Sequence, residues 1–420
     1  MKISPAKRIR GNIKVPPDKS ITHRALIFSA IARTSAELWN LLECDDTLRT
    51  FKALKQLGIQ FKGDFKHLEV RPREFVEPIS PLYCGNSGTT ARLMTGLLAA
   101  KKGFYILYGD ESLSRRPMRR VVEPLRKMGA NIAGRNDDDN LPIAIKGEKL
   151  LGHRHELKIA SAQVKSALLL AGLNAEGETV VKEPYKSRDH SERLLKIMGA
   201  DILENGCEII IRPSELSGIS FEIPGDFSSA AFFITLAVLH PNAEIIIEGV
   251  NLNETRLGLL KTLKDMGANI DWEIVSPDPE PVGTIKATSS HLKGVEVDAS
   301  MIPSMIDELP LLALAGVFAE GITKVSNAYE LRKKESDRIK ATVENFKKLG
   351  IEIEEYPDGF AIQGPQKLKS GKGTTYGDHR IAMMLAIAGA LSEEGVHLDD
   401  VECVGISFPT FFQLLEVIAY

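Results

Sequence analysis

Cysteine is scarce in this sequence, with only Cys44, Cys84, Cys207 and Cys403 among 420 residues. The four are scattered and show none of the paired spacings that hold zinc or another metal. Small secreted scaffolds depend on many cysteines, so a disulfide framework is excluded. We therefore expect four reduced thiols in a cytoplasmic protein, and no metal site.

Long apolar runs and an excess of one charge are missing too. No apolar run reaches the about 18 residues of a transmembrane helix, and the segment after Met1 resembles neither a secretory signal nor a transit peptide. The net charge is −3 and the hydrophobic fraction is 43%. These values predict a globular protein of two or more domains, without nucleic acid or a membrane surface as a partner.

Cofactor motifs are also absent. Residues 370–375 resemble a phosphate-binding loop, but Gln366 stands where that motif requires glycine. His153 and His155 flank an arginine in a polar stretch without a third metal ligand nearby. No dinucleotide-binding glycine pattern occurs. The sequence therefore predicts no cofactor.

What the sequence does contain is an internal repeat. Five amphipathic helical stretches close with a glycine and then a strand, and these glycines are Gly58, Gly129, Gly199, Gly267 and Gly350. Apolar helices, which we expect to be buried, alternate with them and start near Ser20, Ser87, Ser161, Ser228, Asp307 and His379. The pattern predicts six repeats of roughly 70 residues, each with a buried helix, a strand, an amphipathic helix and further strands.

The repeat predicts an α/β (α+β) fold of two domains. Three repeats fill the first domain, residues 16–224, and three fill the second, residues 1–15 plus 225–420. The chain would cross between them near Pro16-Pro17 and near Pro224-Gly225. Residues 2–15 look like a strand, and we expect them to complete the sheet of the shortened sixth repeat.

The polar residues collect where the buried helices start. Asp18 or Ser20 can cap the first helix, and Lys19, Ser20 and Arg24 put two cations and a hydroxyl near its N-terminus. A helix N-terminus already favours an anion, so this group suits a phosphorylated or carboxylated ligand. An ordinary capped surface helix is the alternative.

The other buried helices start in similar polar segments. These are residues 85–92, 161–165, 226–229, 307–308 and 377–380. Two charged runs add cations: residues 115–120 hold four arginines, and residues 331–338 are predicted to open a helix with Lys334 and Arg338 one turn apart. Solvated charge runs are the alternative for both. Six polar starts at one point of a repeat indicate helix N-termini that converge on one cleft.

These motifs resemble the EPSP synthases of the enolpyruvyl transferase family, collinearly over essentially the whole chain. The resemblance rests on Lys19-Ser20 with Arg24, the run from Asn86 to Arg92, Arg116-Pro117, the run from Lys334 to Arg338, and the run from Asp378 to Arg380. It implies a two-domain inverted α/β barrel of six βαβαββ units, with the active site in the interdomain cleft. It also implies transfer of the enolpyruvyl group of phosphoenolpyruvate to the 5-hydroxyl of shikimate 3-phosphate, with release of phosphate.

The resemblance further implies a role for individual residues. Phosphoenolpyruvate would be held by Lys19, Gly88, Arg116, Gln163, Arg338 and Arg380. Shikimate 3-phosphate would be held by Lys19, Ser20, Arg24, Ser161, Gln163, Arg188, Asp307 and Lys334. Lys19, Asp307 and Glu335 would be catalytic, the two carboxylates moving protons. We expect a monomer whose only partners are these two substrates.

Two alternatives stay open. The UDP-N-acetylglucosamine 1-carboxyvinyltransferases share the fold, but they carry Lys-Asn where this chain has Lys19-Ser20, and usually a cysteine in the loop that here spans residues 111–116. The other alternative is a non-catalytic anion-binding or RNA-end-processing relative. Asp307 and Glu335 argue against it, because a binder of polyanions gains nothing from carboxylates in its cleft.

Overall fold

A computed structural model describes all 420 residues of the chain. Its α-helices are α1 (Lys19–Ala30), α2 (Asp45–Gln56), α3 (Gly88–Ala99), α4 (Arg119–Lys127), α5 (Arg135–Asp138), α6 (Ala162–Gly172), α7 (His190–Ile197), α8 (Phe227–Leu239), α9 (Gly258–Asp265), α10 (Ile302–Met305), α11 (Leu309–Phe318), α12 (Arg338–Lys348), α13 (His379–Leu391) and α14 (Phe411–Ile418). Of these, α5 is a single left-handed turn, with positive φ at Asn136, Asp137 and Asp138.

The strands are short and lie between these helices. They are β1 (Lys2–Ile3), β2 (Ile9–Lys14), β3 (Ala36–Trp39), β4 (Gln60–Gly63), β5 (His67–Arg71), β6 (Leu82–Tyr83), β7 (Gly103–Tyr108), β8 (Asn131–Gly134), β9 (Asn140–Gly147), β10 (Arg154–Glu156), β11 (Thr179–Lys182), β12 (Ile202–Asn205), β13 (Glu208–Ile211), β14 (Ser220–Glu222), β15 (Ala243–Asn251), β16 (Asn269–Ser276), β17 (Val282–Thr288), β18 (Gly321–Val325), β19 (Glu354–Tyr356), β20 (Gly359–Gly364), β21 (Gly371–Gly373) and β22 (Val396–Leu398).

The chain divides into two units, each with its own hydrophobic core. The first unit is Pro17–Ile223, and the second joins Met1–Pro16 to Pro224–Tyr420. The chain therefore passes between the units twice, and a proline stands at each passage.

The repeat has the local signals that the sequence predicts. The buried helices α1, α3, α6, α8, α11 and α13 begin within two residues of the predicted starts. Side chains of Asp18, Ser87, Ser161, Asp226 and Asp378 cap five of them by accepting a backbone N–H of the first turn. The five glycines that follow the amphipathic helices all have positive φ, between 79° and 99°. Glycine adopts this conformation without a steric penalty, which is why each helix ends there.

Six small sheets accompany the six repeats. Their strand orders are β14-β3-β5-β4, β6-β7-β9-β8 and β10-β11-β13-β12 in the first unit, and β16-β17-β15-β2, β18-β20-β19 and β1-β22-β21 in the second. In five of the sheets two strands run parallel, as in β6 with β7 and β10 with β11, and the remaining pairs are antiparallel. A buried helix between two parallel strands is the expected right-handed crossover unit.

The expectation for residues 2–15 is wrong for most of the segment. Only β1 joins the last sheet, where it pairs antiparallel with β22. β2 instead pairs parallel with β15 in the sheet of the fourth repeat. Likewise β14, which directly precedes the fourth repeat, pairs parallel with β3 of the first repeat. Thus β2 and β14, which lie next to the two passages, each join the sheet of a repeat that is distant in sequence. In both cases that sheet belongs to the same unit as the strand.

The buried helices form the interior of each unit. α3 and α6 approach so closely that a Cβ added at Gly96 would lie 2.1 Å from the carbonyl oxygen of Ala167. Such contact between helix backbones is possible only with a glycine at the crossing. No single helix has both the length and the apolar character of a membrane span, although the bent pair Ala299–Met305 and Leu309–Phe318 does when taken together.

Candidate active site

The start of α1 holds a cation against a carboxylate. Lys19 Nζ donates to Asp46 Oδ2 at 2.8 Å, and Asp46 lies in the first turn of α2. The second oxygen of Asp46 is buried without a hydrogen-bond partner. A buried carboxylate oxygen without a hydrogen-bond donor beside it costs free energy. Lys19 and Ser20 are half-buried at this end of the helix.

Arg24 joins α1 to α6 and α7. Its Nε donates to Ser191 Oγ at 2.8 Å, and one terminal nitrogen donates to Ser166 Oγ at 2.9 Å. The other terminal nitrogen donates to the carbonyl oxygen of Ser20 at 2.9 Å. Arg24 is 3% exposed. These contacts bring the predicted residues Ser20 and Arg24 to α6, which Ser161 caps. Arg188 is half-buried two residues before α7.

Gly88, Arg116 and Gln163 meet through Arg92. Arg92 donates to Gln163 Oε1 at 2.5 Å and to the carbonyl oxygen of Pro117 at 3.2 Å. Gln163 in turn donates to Thr89 Oγ1 at 2.9 Å. A Cβ added at Gly88 would lie 2.8 Å from one nitrogen of Arg92 and 3.4 Å from one nitrogen of Arg116. The glycine therefore leaves room for two guanidinium groups at the N-terminus of α3.

In the second unit, six residues form a cluster that we call the Asp307 cluster. Its members are Asp307, Lys334, Glu335, Arg338, Asp378 and Arg380. Asp307 Oδ1 accepts from Lys334 and from Arg338, each at 3.1 Å, and its other oxygen is 3.7 Å from Arg380. Arg338 also donates to Glu335 at 2.6 Å and to Asp378 at 2.8 Å. Three cations and three carboxylates are thus in mutual contact.

Burial and charge act against each other in the Asp307 cluster. Burial lowers the pKa of Arg338, but Asp378, Glu335 and Asp307 outweigh it and the net pKa is raised. Burial raises the pKa of the Asp378 carboxyl, whereas the guanidinium of Arg338 lowers it further, so the net pKa is below its usual value. Both groups are therefore ionised at neutral pH.

The predicted helix from Leu331 to Arg338 is wrong in its boundary. Residues Tyr329–Lys333 form a 3-10 turn, and α12 begins at Arg338 after the cap of Asp337. Lys334 and Arg338 are thus not one helical turn apart. They meet because both reach the same oxygen of Asp307, on a segment distant in sequence.

Several polar residues of these clusters lay outside the prediction. They are Asp46, Asn86, Ser228, Arg256 and Glu308. Glu308 is fully buried, accepts from Ser228 and lies 3.3 Å from Arg380, and Ser228 also accepts from Arg256 at 2.6 Å. Asn86, Ser228 and Glu308 belong to the polar helix starts, which was a usable signal, whereas nothing in the local sequence marked Asp46 or Arg256. No group of three or more His, Cys, Asp or Glu side chains is placed to hold a metal ion.

Comparison with known proteins decides the family. A model described as EPSP synthase (3-phosphoshikimate 1-carboxyvinyltransferase) matches residues 3–415. The chain belongs to the EPSP synthase family. A Thermotoga protein (strain RQ2) named 3-phosphoshikimate 1-carboxyvinyltransferase is 57% identical over 417 residues, covering 99% of both chains. One of that name from Thermus thermophilus is 46% identical over 417 residues, covering 98% of this chain and 97% of the other.

Solved structures agree with this family and its fold. An EPSP synthase from Acinetobacter baumannii superposes with a TM-score of 0.88 at 38% identity, covering 100% of this chain and 98% of the other. The enolpyruvyl transferase NikO from Streptomyces tendae has a TM-score of 0.80 at 18% identity, over 99% of this chain and 96% of the other. The second likeness concerns the fold alone. The predicted α/β fold of the EPSP synthase family is thereby confirmed, and the UDP-N-acetylglucosamine alternative is not favoured.

Proposed function

We propose that this chain transfers the enolpyruvyl group of phosphoenolpyruvate to the 5-hydroxyl of shikimate 3-phosphate, giving 5-enolpyruvylshikimate 3-phosphate and phosphate. The observation that carries the proposal is the Asp307 cluster. In it the partly exposed carboxylate of Asp307 lies against three cations, and that of Glu335 lies against one of them, Arg338. Carboxylates can move protons and cations can hold an anion, so the cluster joins the two tasks that this reaction requires.

The chemistry needs both tasks at once. The methylene carbon of phosphoenolpyruvate gains a proton, its C2 forms a bond with the 5-hydroxyl oxygen, and that hydroxyl loses its proton. Phosphate then leaves C2, and a methyl proton is lost as the double bond forms again. We assign the proton transfers to Asp307 and Glu335, with Lys19 as a third catalytic group. An acid and a base each contribute about 10²–10⁴-fold to the rate.

The same proposal assigns the substrates to residues of both units. Phosphoenolpyruvate is held by Lys19, Gly88, Arg116, Gln163, Arg338 and Arg380. Shikimate 3-phosphate is held by Lys19, Ser20, Arg24, Ser161, Gln163, Arg188, Asp307 and Lys334. Arginine suits the carboxylate and phosphate groups because its planar fork donates two parallel hydrogen bonds. Neither unit carries a complete set, so the proposal requires both to bind the same ligands in a cleft between the two domains, residues 16–224 and residues 1–15 plus 225–420.

Phosphate release tests the activity directly. The purified chain is given phosphoenolpyruvate with either shikimate 3-phosphate or UDP-N-acetylglucosamine, without added metal. We expect phosphate with shikimate 3-phosphate only. Release with the UDP-sugar alone, or loss of activity after treatment with a chelator, would contradict the proposal.

Small-angle scattering tests the shared binding. If a ligand is held by both units, the two chain passages act as a double hinge and the units close on it. We expect the radius of gyration to fall when shikimate 3-phosphate is added, and Arg24→Ala to reduce that fall. An unchanged scattering curve at saturating ligand, with binding verified by calorimetry, would rule closure out.

We also propose a monomer in the cytoplasm. Four free cysteines, three of them buried, support a reducing compartment. Light scattering after gel filtration should give a mass near the 46.1 kDa of one chain, and a mass of two chains would refute the monomer. Fractionation of the source cells tests the location.

A further inference from the structure

A second ionic cluster lies deep in the first unit, and the proposed reaction does not use it. Lys165 Nζ is 2.8 Å from Glu183 Oε2 and 2.7 Å from Glu192 Oε1. All three side chains are 0% exposed. We call these three residues the Lys165 cluster. Because no substrate can touch side chains that are fully enclosed, the cluster acts only through its neighbours.

Burying such charges is costly, and apolar side chains of similar volume often serve a core as well. Burial lowers the pKa of Lys165, but Glu192 and Glu183 outweigh it and the net pKa is raised, so the ammonium stays charged. What the charges add is a defined geometry. The ammonium fixes α6, the end of β11 and the first turn of α7 to one point.

The fixed point lies next to Arg24. Ser166 follows Lys165 and Ser191 precedes Glu192, so the ion pair and the two serines cross-link the same turns of α6 and α7. The two hydroxyls are 2.6 Å apart, and each accepts a hydrogen bond from Arg24. If these turns moved apart, the two acceptors that orient the guanidinium would separate.

Glu183 extends the same control to the loop before α7. Besides the ammonium, Glu183 Oε2 accepts the backbone N–H of Ser187 at 3.2 Å. The carbonyl oxygen of Ser187 accepts from Lys165 at 3.4 Å. Arg188 is the next residue along the chain. The Lys165 cluster therefore holds the backbone of Ser187, directly before Arg188, from both sides.

We propose that Lys165 is a positioning residue of the shikimate 3-phosphate site, and that with Glu183 and Glu192 it holds Arg24 and the loop of Arg188 in the geometry that binds the phosphate. This inference rests on the proposed function. If Lys165 had a purely structural role, its loss would change all the kinetic constants together. If it positions binding groups, its loss changes the affinity for shikimate 3-phosphate and leaves the other kinetic constants as they are.

The first variant replaces the whole cluster by neutral residues, Lys165→Met with Glu183→Gln and Glu192→Met. No unpaired charge is left in the core, so we expect it to fold, as circular dichroism and thermal unfolding will show. The KM for shikimate 3-phosphate should rise roughly 10-fold or more, since small misplacements of a binding group are expensive. The KM for phosphoenolpyruvate should stay within about twofold of the parent. Calorimetry with shikimate 3-phosphate alone should show the same loss of affinity.

A second variant and a matched control complete the test. Glu192→Gln keeps the shape and the Lys165–Glu183 pair, so it folds even where the first variant does not, and it should raise the same KM by a smaller factor. The control is Lys182→Met with Glu156→Gln, an exposed pair 3.8 Å apart at the ends of β11 and β10, which should change neither KM. A folded first or second variant with a normal KM for shikimate 3-phosphate would overturn the inference. An equal rise in both KM values would overturn it too. A parent protein that fails to bind shikimate 3-phosphate refutes the proposed function instead, before any variant is compared.

Discussion

Each unit buries a cation among several carboxylates, Lys165 in the first and Arg338 in the second, but the two clusters differ in their access to solvent. Lys165 and its two partners are completely enclosed. Arg338 is 1% exposed, yet its partners Asp307 and Glu335 are 12% and 19% exposed, and Lys334 beside them is 28% exposed. One cluster is closed on all sides, whereas the other has an open edge.

Access to solvent decides which cluster can take part in chemistry. No ligand reaches a closed ion cluster, so the cluster can affect only the stability and the geometry of the fold. At an open edge, a bound anion can replace one of the carboxylates that contact a cation. A carboxylate at such an edge can also give or take a proton. Ionic contacts therefore hold the geometry of the first unit, whereas in the second unit, by our proposal, they take part in the reaction. Variants should separate the two, with stability changing in one cluster and turnover in the other.

The largest effect on stability is expected from Lys165→Met alone. It leaves two carboxylates in the core without their cation, and such a loss destabilises a protein by roughly 3–5 kcal/mol. Urea unfolding followed by circular dichroism measures this free energy. Lys182→Met, which removes an exposed cation, should cost less than about 1 kcal/mol. A Lys165→Met protein as stable as the parent would remove the distinction between the clusters.

The open cluster should show the reverse behaviour. Asp307→Asn and Glu335→Gln should each lower kcat by roughly 10²-fold or more, because each removes a proposed proton-transfer group. That factor corresponds to about 2.7 kcal/mol in the barrier. Arg338 keeps Asp378 and one further carboxylate in either variant, so unfolding free energies should change little. A near-normal kcat at saturating substrates would exclude the substituted residue from proton transfer.

His23 in the first unit is buried without a carboxylate beside it, and its pKa makes the stability of the fold depend on pH. Burial, and then the charges of Lys19 and Arg24, hold the pKa of His23 well below 6.5, and its Nδ1 is 2.7 Å from Thr50 Oγ1. Below pH 6.5 the unfolded chain therefore binds a proton that the folded chain does not. Stability should fall as pH drops through this window, by about 1.4 kcal/mol per pH unit for this histidine.

His23→Gln should remove that contribution, which unfolding free energies from about pH 7 to about pH 5 will reveal. His155, whose pKa is lowered to about 4 by burial first and then by His153 and Lys127, contributes a similar slope in both proteins. The difference between parent and variant therefore isolates His23. An identical slope in both would mean that His23 is protonated in the folded chain.

The smallest effect is expected where the two units are alike. Gly129 in the first unit and Gly267 in the second both end an amphipathic helix with positive φ. A Cβ at Gly129 meets no atom within 4 Å, and at Gly267 it meets only the carbonyl oxygen of His291 at 3.3 Å. Alanine at Gly129 should thus cost only the strain of the left-handed conformation, about 1 kcal/mol. At Gly267 the carbonyl oxygen of His291 must also shift slightly, so alanine there should cost somewhat more. Equal costs in thermal unfolding would show that this contact relaxes without a penalty.

Much of the fold could be predicted because its signals are local. A cap acts on the N–H groups of the next turn, and a glycine ends a helix through its own φ. Asp18, one of two caps considered for the first helix, thus caps α1, while Ser87 marks the start of α3 and Gly129 the end of α4, as the sequence indicates. Ser161 and Gln163 lie in one of the polar helix starts that the sequence shows, whereas their assignment to substrates came from the resemblance to the EPSP synthases.

Contacts between distant segments were decided only by the tertiary structure. The alternation of a strand such as β2 fits the sheet of the fourth repeat as well as that of the sixth, because strand pairing depends on which edge is within reach. The meeting of Lys334 and Arg338 on Asp307, and the enclosure of Lys165 between Glu183 and Glu192, depend in the same way on packing between helices. A charged side chain that becomes buried needs a partner of opposite charge, and the sequence shows only this need. The packed chain determines which residue is the partner and whether solvent can reach the pair.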